Sequence, residues 1–102
     1  MSLDFVVLGQ NGAPEMTVSL GVNLHHEMIA AALALGLTSF HNFSDYYKDV
    51  DMDSGEIPLL ASHAQELFAK TSSIELQCFL GDLSALIAYA MDTGKALHAI
   101  AD

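Results

Sequence analysis

The chain contains no arginine, three lysines and a single cysteine among its 102 residues. Because one cysteine cannot form an intrachain disulfide, the sequence excludes a secreted domain held together by disulfides and indicates a reducing compartment. The scarcity of basic residues argues against nucleic acid as a ligand, since binding it requires Lys and Arg to neutralise phosphates. An anionic membrane surface would repel the chain for the same reason.

The motifs of several common activities are also missing. Neither a phosphate-binding nor a dinucleotide-binding glycine pattern is present around Gly9 and Gly12, and there is no serine hydrolase signature. The first residues lack the basic segment and long apolar run of a signal peptide, and the longest weakly polar stretch, residues 28–37, is about half a membrane span. We therefore expect a soluble, cytoplasmic protein without enzyme activity or cofactor.

Length and apolar content favour one compact domain. With 52% hydrophobic residues, a chain of this size can bury a core of its own, so we predict a single domain over residues 1–102. Residues 3–8 are rich in apolar and β-branched side chains, residues 16–20 alternate apolar with polar side chains, and Asn11-Gly12 marks a turn between them. This pattern predicts a β-hairpin.

Helical spacing of apolar residues follows the hairpin. Residues 24–35 are predicted to form a helix that begins after Asn23 as its cap, ends near Gly36 and is buried on more than one face. A short helical segment should follow, in which Phe40, Phe43 and Tyr47 recur at helical spacing. If Tyr47 packs in the core with the two phenylalanines, only Tyr46 remains for a partner.

Two further helices and a last strand complete the expected fold. One helix begins near Ser54 and ends near Lys70, with Leu60, Ala64, Leu67 and Phe68 on its apolar face. The next begins at Ser72 or Ser73 and ends before Gly94. Residues 96–101 are predicted to add a strand to the hairpin. The fold class is thus α+β and predominantly helical, with three to four helices packed on a small antiparallel sheet.

Residues 45–56, here called the acidic segment, hold five carboxylates and one lysine in a chain of formal net charge −10. Asp49, Asp51 and Asp53 match the first carboxylate positions of a calcium-binding EF-hand loop. The later positions fail, because the glycine comes one residue late and Leu60 occupies the place of the bidentate glutamate. A solvated charged loop and a recognition surface both remain open, and the tyrosine pair beside the charges favours recognition.

Histidine and cysteine do not form a convincing site in the sequence. The five histidines lack the i, i+4 spacing of a zinc pair on a helix, and we interpret them as surface residues; His63 has no evident partner. Cys78 lies among apolar residues of the last helix, which predicts a buried, unreactive thiol.

Three stretches of the sequence carry a resemblance to a known family: Leu3-Asp4-Phe5-Val6-Val7-Leu8-Gly9, then Gly21-Val22 with His25-His26, and finally Leu97-His98-Ala99-Ile100-Ala101-Asp102. They resemble small cytoplasmic immunity proteins of bacterial contact-dependent, or polymorphic, toxin systems. The resemblance implies a non-catalytic protein that binds one cognate toxin domain and blocks its active site.

The acidic composition and the resemblance to immunity proteins both indicate binding to a basic protein. Toxins that act on RNA or DNA have basic clefts, which an acidic protein can occupy as a phosphate mimic. The acidic segment supplies the candidate partner-binding residues, namely Asp45, Tyr46, Asp49, Asp51, Asp53 and Glu56. The alternatives are an acidic metal- or ligand-binding housekeeping domain, dimeric through residues 28–37, and a minor enzyme that uses histidine and carboxylate.

Overall fold

The computed structural model describes residues 2–101, which form one antiparallel sheet and a set of helices packed on it. The elements in chain order are β1 (Leu3–Leu8), β2 (Pro14–Leu20), α1 (Val22–Leu35), a 3₁₀ helix (Thr38–Phe43), β3 (Val50–Met52), α2 (Ile57–Lys70), α3 (Ile74–Thr93) and β4 (Leu97–Ala101). The predicted α+β fold with a predominance of helix is confirmed.

The sheet has the strand order β2-β1-β4-β3, so β1 lies inside it and pairs antiparallel with both β2 and β4. The predicted hairpin and the pairing of the C-terminal strand with it are therefore confirmed. In the hairpin loop, Gly12 has a positive φ of 78°, and Asn11 Oδ1 accepts a hydrogen bond from the Ala13 N–H. Strand β3, inside the acidic segment, was not predicted.

Alternation along the strands gives the sheet one apolar and one largely polar face. Leu3, Phe5 and Val7 of β1 are buried in the core that the sheet shares with the helices. The opposite face, here called the outer sheet face, carries in register the side chains of Asp4, Val6, Thr17, Ser19, Asp51, His98 and Ile100.

Helix α3 is the central helix of the fold, because it contacts β1, β2, α1 and α2. Its ends are as predicted: the Ser73 hydroxyl accepts from the Leu76 N–H at 3.2 Å, and Gly94 closes the helix with a φ of 67°. By length and composition α3 could also cross a membrane, although 39% of its most apolar window is buried inside the fold. Its buried residues are Leu76, Phe79, Leu80, Leu83, Leu86, Ile87 and Ala90.

Helix α1 differs from its prediction. It begins at Val22 after Gly21, so Asn23 is not its cap, and its buried residues are His25, Met28 and Ala32. Leu33 is 65% exposed, so the expectation of burial on more than one face is wrong. Four of its fourteen residues are alanine, a side chain that loses little hydrophobic free energy when it remains in water, so the apolar composition overstated the burial of the helix.

Helix α2 starts at Ile57, with Pro58 in its first turn, rather than near Ser54. Leu60, Ala64 and Leu67 are buried as predicted, whereas Phe68 is 44% exposed.

The single thiol also lies elsewhere than expected, because Cys78 is exposed. It is two residues from the buried Leu76, or about 200° around the helix, and so points away from the core. The predicted buried thiol is wrong.

A polar cluster joins the hairpin to the end of α3. Glu15 accepts hydrogen bonds from the Tyr89 hydroxyl at 3.0 Å and from the Lys95 ammonium. The Lys95 and then the Tyr89 hydrogen bond lower the pKa of the Glu15 carboxyl, and the bond to Glu15 raises the pKa of Lys95.

Because the pKa of Glu15 is lowered in the folded chain, its contribution to stability is present above the ordinary glutamate pKa and is lost as the pH falls through the lowered value. We predict that Glu15→Gln lowers the urea midpoint at pH 7 and that the difference from the unaltered protein shrinks as the pH falls. Glu66→Gln is the matched surface control. A difference that stays constant down to acid pH would contradict the role of this carboxylate.

Candidate protein-binding surface

The acidic segment connects the 3₁₀ helix to α2 and contains β3. Its five carboxylate residues, Asp45, Asp49, Asp51, Asp53 and Glu56, are all exposed. The segment thus presents negative charge to solvent while its middle is part of the sheet.

The side chains of two of these aspartates are held by hydrogen bonds to backbone N–H groups two or three residues further along the chain. Asp45 Oδ1 accepts from the Tyr47 N–H at 3.0 Å. Asp53 Oδ1 accepts from the N–H groups of Gly55 at 3.0 Å and Glu56 at 3.2 Å, directly before α2. Aspartate favours such turns because its short side chain reaches backbone N–H groups two or three residues ahead.

Two others are fixed to strand β4. Asp49 Oδ1 accepts from the Ala101 N–H at 2.7 Å, and Asp51 Oδ1 lies 2.6 Å from His98 Nδ1. Val50 packs against the core and Met52 is buried in it, so the exposed Asp49 and Asp51 alternate with residues that face the core. This alternation over residues 49–52 was the signal for β3 that the sequence contained.

The outer sheet face extends the acidic surface beyond the segment. Asp4 lies opposite Ile100 on β4 and Ser19 on β2, and its Oδ1 accepts from the hydroxyls of Ser2 and Ser19, both at 2.7 Å. Sequence reasoning missed Asp4 as a member of this surface. The signal was available, because the predicted pairing of the last strand with the hairpin brings β1 beside β4.

Tyr46 and Tyr47 differ in burial, and the buried one is not the one that the helical spacing indicates. Tyr46 is 5% exposed and donates its hydroxyl hydrogen bond to the Leu20 carbonyl at 3.2 Å, whereas Tyr47 is 68% exposed. The helical spacing from Phe40 and Phe43 does not reach Tyr47, because the 3₁₀ helix ends at Phe43. Tyr46 is thus a buried residue with little surface for a partner, and Tyr47 does not pack in the core with Phe40 and Phe43.

Two histidines also have internal partners. His25 is buried with Nε2 2.6 Å from the Phe43 carbonyl oxygen, and His63 Nδ1 lies 2.6 Å from the Ser39 hydroxyl. The interpretation of the histidines as surface residues is wrong for His25, which is buried, and His63 has a partner that its helical spacing did not reveal. Within residues 2–101, no three His, Cys, Asp or Glu side chains are arranged to hold one metal ion.

Neither a protein-family model, nor a curated protein, nor a solved structure matches this chain significantly.

Tyr46→Phe is expected to lower the free energy of unfolding by about 1–3 kcal/mol, because it leaves the Leu20 carbonyl without this buried donor. Tyr47→Phe is the matched control and should change stability by less than about 0.5 kcal/mol, since the Tyr47 side chain is exposed. Urea unfolding followed by circular dichroism measures both. Equal effects of the two substitutions would refute the assignment of Tyr46 to the interior.

Proposed function

We propose that the protein is a non-catalytic immunity protein that binds a basic toxin domain of a bacterial competition system in the cytoplasm. The acidic segment and the outer sheet face cover the active site of the toxin, for which a nuclease is the best candidate. The observation that carries the proposal is that four exposed aspartates of the segment are each held by a hydrogen bond to their own fold.

Fixed carboxylates favour tight binding because less side-chain freedom is lost when a partner engages them. In all four aspartates the carboxylate oxygen that accepts the anchoring hydrogen bond is Oδ1. A set of anchored negative groups, presented by the protein itself, supports the role of a phosphate mimic in a cleft built to hold a nucleic acid backbone.

The charge of the whole molecule supports fast association with a basic partner. The formal net charge is −10, and two of the three lysines are engaged with carboxylates, Lys70 with Glu66 and Lys95 with Glu15. The net charge already includes all three lysines, and the field of the excess carboxylates raises encounter rates with a positively charged protein.

The direct test is affinity capture of the tagged protein from its source bacterium, followed by elution in rising salt and mass identification. We expect one stoichiometric basic protein that salt releases. Expressed alone in a bacterial host, the captured domain should arrest growth, and coexpression of this protein should restore growth. A captured protein without toxicity would refute the immunity function, and a neutral or salt-resistant partner would refute the acidic mechanism.

Replacing Asp49, Asp51 and Asp53 together by asparagine is expected to slow association with the toxin domain by roughly one order of magnitude at low salt and to flatten its salt dependence. Asparagine keeps an oxygen that accepts the hydrogen bonds of Asp49 and Asp53, so the fold should persist. Stopped-flow association at several salt concentrations measures the effect.

The matched control removes the same number of charges from exposed helical positions, by Glu66→Gln, Asp82→Asn and Asp92→Asn. Its association rate should fall less than that of the acidic-segment variant. Equal rates for the two triple variants would mean that overall charge alone, and not this surface, steers the partner.

A further inference from the structure

Strand β2 forms the edge of the sheet that lies opposite β3. It pairs with β1 on one side and has no neighbouring strand within residues 2–101 on the other. Residues 16–20 carry no charge, and Glu15 at the beginning of the strand is engaged by Tyr89 and Lys95. In an edge strand, alternate residues direct both of their backbone polar groups away from the sheet. The backbone of β2 is therefore available to pair with a further strand.

An open groove of about 510 Å³, here called the edge groove, lies beside β2. Residues 16–19 of β2, Leu24 of α1, and Glu75, Phe79 and Asp82 of α3 are among its lining residues. Successive side chains of a strand point to opposite faces of the sheet, so a groove that touches four successive residues runs along the edge of the strand and not over one face. The edge groove is therefore the space that an added strand would occupy.

Apolar side chains form the floor of the edge groove. Met16, Val18 and Leu24 are partly buried and pack against the core, and the Phe79 ring is 5% exposed. In a strand added to β2, every second side chain would face this floor, and the others would continue the outer sheet face. The floor thus favours apolar or β-branched side chains at the inward positions of the added strand.

Two carboxylates of α3, those of Glu75 and Asp82, also line the edge groove. Their positions are seven residues apart in α3, which is about 10 Å along the helix axis, and Phe79 lies between them on the same side of the helix. Both side chains are exposed, and neither forms an ion pair within residues 2–101. No basic residue lines the groove. The groove therefore attracts a positively charged side chain and repels an acidic one.

We propose that the edge groove binds an extended basic segment of another protein, which adds to β2 as a fifth strand. The main chain of this segment exchanges hydrogen bonds with β2, an apolar or β-branched side chain packs against Phe79 and Leu24, and a lysine or arginine side chain reaches Glu75 or Asp82.

A second copy of this chain fits the edge groove less well than a basic segment. Strand β2 contains no lysine that could reach the two carboxylates, and each copy has a formal net charge of −10. The groove and the acidic segment lie at opposite edges of the sheet, so this inference does not depend on the proposed function.

The probe is a library of random displayed heptapeptides, selected at low salt on the unaltered protein. We expect the enriched peptides to carry Lys or Arg and, two positions away, an apolar or β-branched residue, because side chains two apart in a strand face the same side. Methylation of the backbone nitrogens of a selected peptide should weaken binding at every second position only, since alternate N–H groups bond to β2. Enrichment of peptides without a basic residue, or no enrichment at all, would overturn the proposal.

Nuclear magnetic resonance of the labelled protein locates the selected peptide. We expect shifts at residues 16–19 and at the side of α3 that lines the groove, together with slower hydrogen exchange of alternate amides of β2. Shifts confined to the acidic segment would contradict the proposal. So would a dimer of this chain that the peptide dissociates, because the occupant of the edge would then be a second copy.

Glu75→Gln combined with Asp82→Asn should weaken binding of the selected peptide about two- to tenfold at low salt, the factor that corresponds to two exposed ion pairs. The matched control, Glu66→Gln with Asp92→Asn, removes the same charge from exposed helical positions outside the groove and should leave the affinity nearly unchanged. Asp82→Lys should bind a peptide with glutamate in place of its basic residue more tightly than the unaltered protein does. Equal losses in the two double variants would show that net charge alone attracts the peptide, and the assignment of the groove would fail.

Discussion

The packing of the Phe5 ring against two other phenylalanine rings is the interaction on which the arrangement of the sheet and helices depends. The Phe5 ring lies in the middle of the interior strand β1, fully buried, with its centroid 5.0 Å from the ring of Phe43 and 5.8 Å from that of Phe79. These contacts join the sheet, the 3₁₀ helix and α3 at one place. Since the Phe43 carbonyl also binds His25, the aromatic core determines where the acidic segment leaves the fold.

The features that could be predicted from the sequence depend on neighbours along the chain. Local sequence patterns were enough to predict three features: the apolar run of β1, the alternation of β2, and the ends of α3 at Ser73 and Gly94. The carboxylates of the candidate site could be identified in the same way, because their density over residues 45–56 is visible without any structure. Their anchoring could not.

The features that were missed depend on residues far apart in the chain. Tyr46 is bonded to a carbonyl 26 residues away, and His63 to a serine 24 residues away, so neither partner can be found by helical spacing. The exposed residues of α1 and the exposed Cys78 show a second limit of prediction from sequence. Apolar composition does not tell which side of a helix meets the rest of the fold, and exposed alanine and cysteine are small enough to be tolerated there.

Strand β3 forms one edge of the sheet, since β4 is its neighbour on one side and no strand within residues 2–101 is its neighbour on the other. An open edge invites pairing with strands of other molecules, and natural sheets prevent this by keeping such strands short and charged. The three residues of β3 and the carboxylates of Asp49 and Asp51 meet both conditions. The carboxylates beside β3 therefore also protect the protein from edge-to-edge aggregation, and substitutions that remove them would leave this edge open to pairing with another strand.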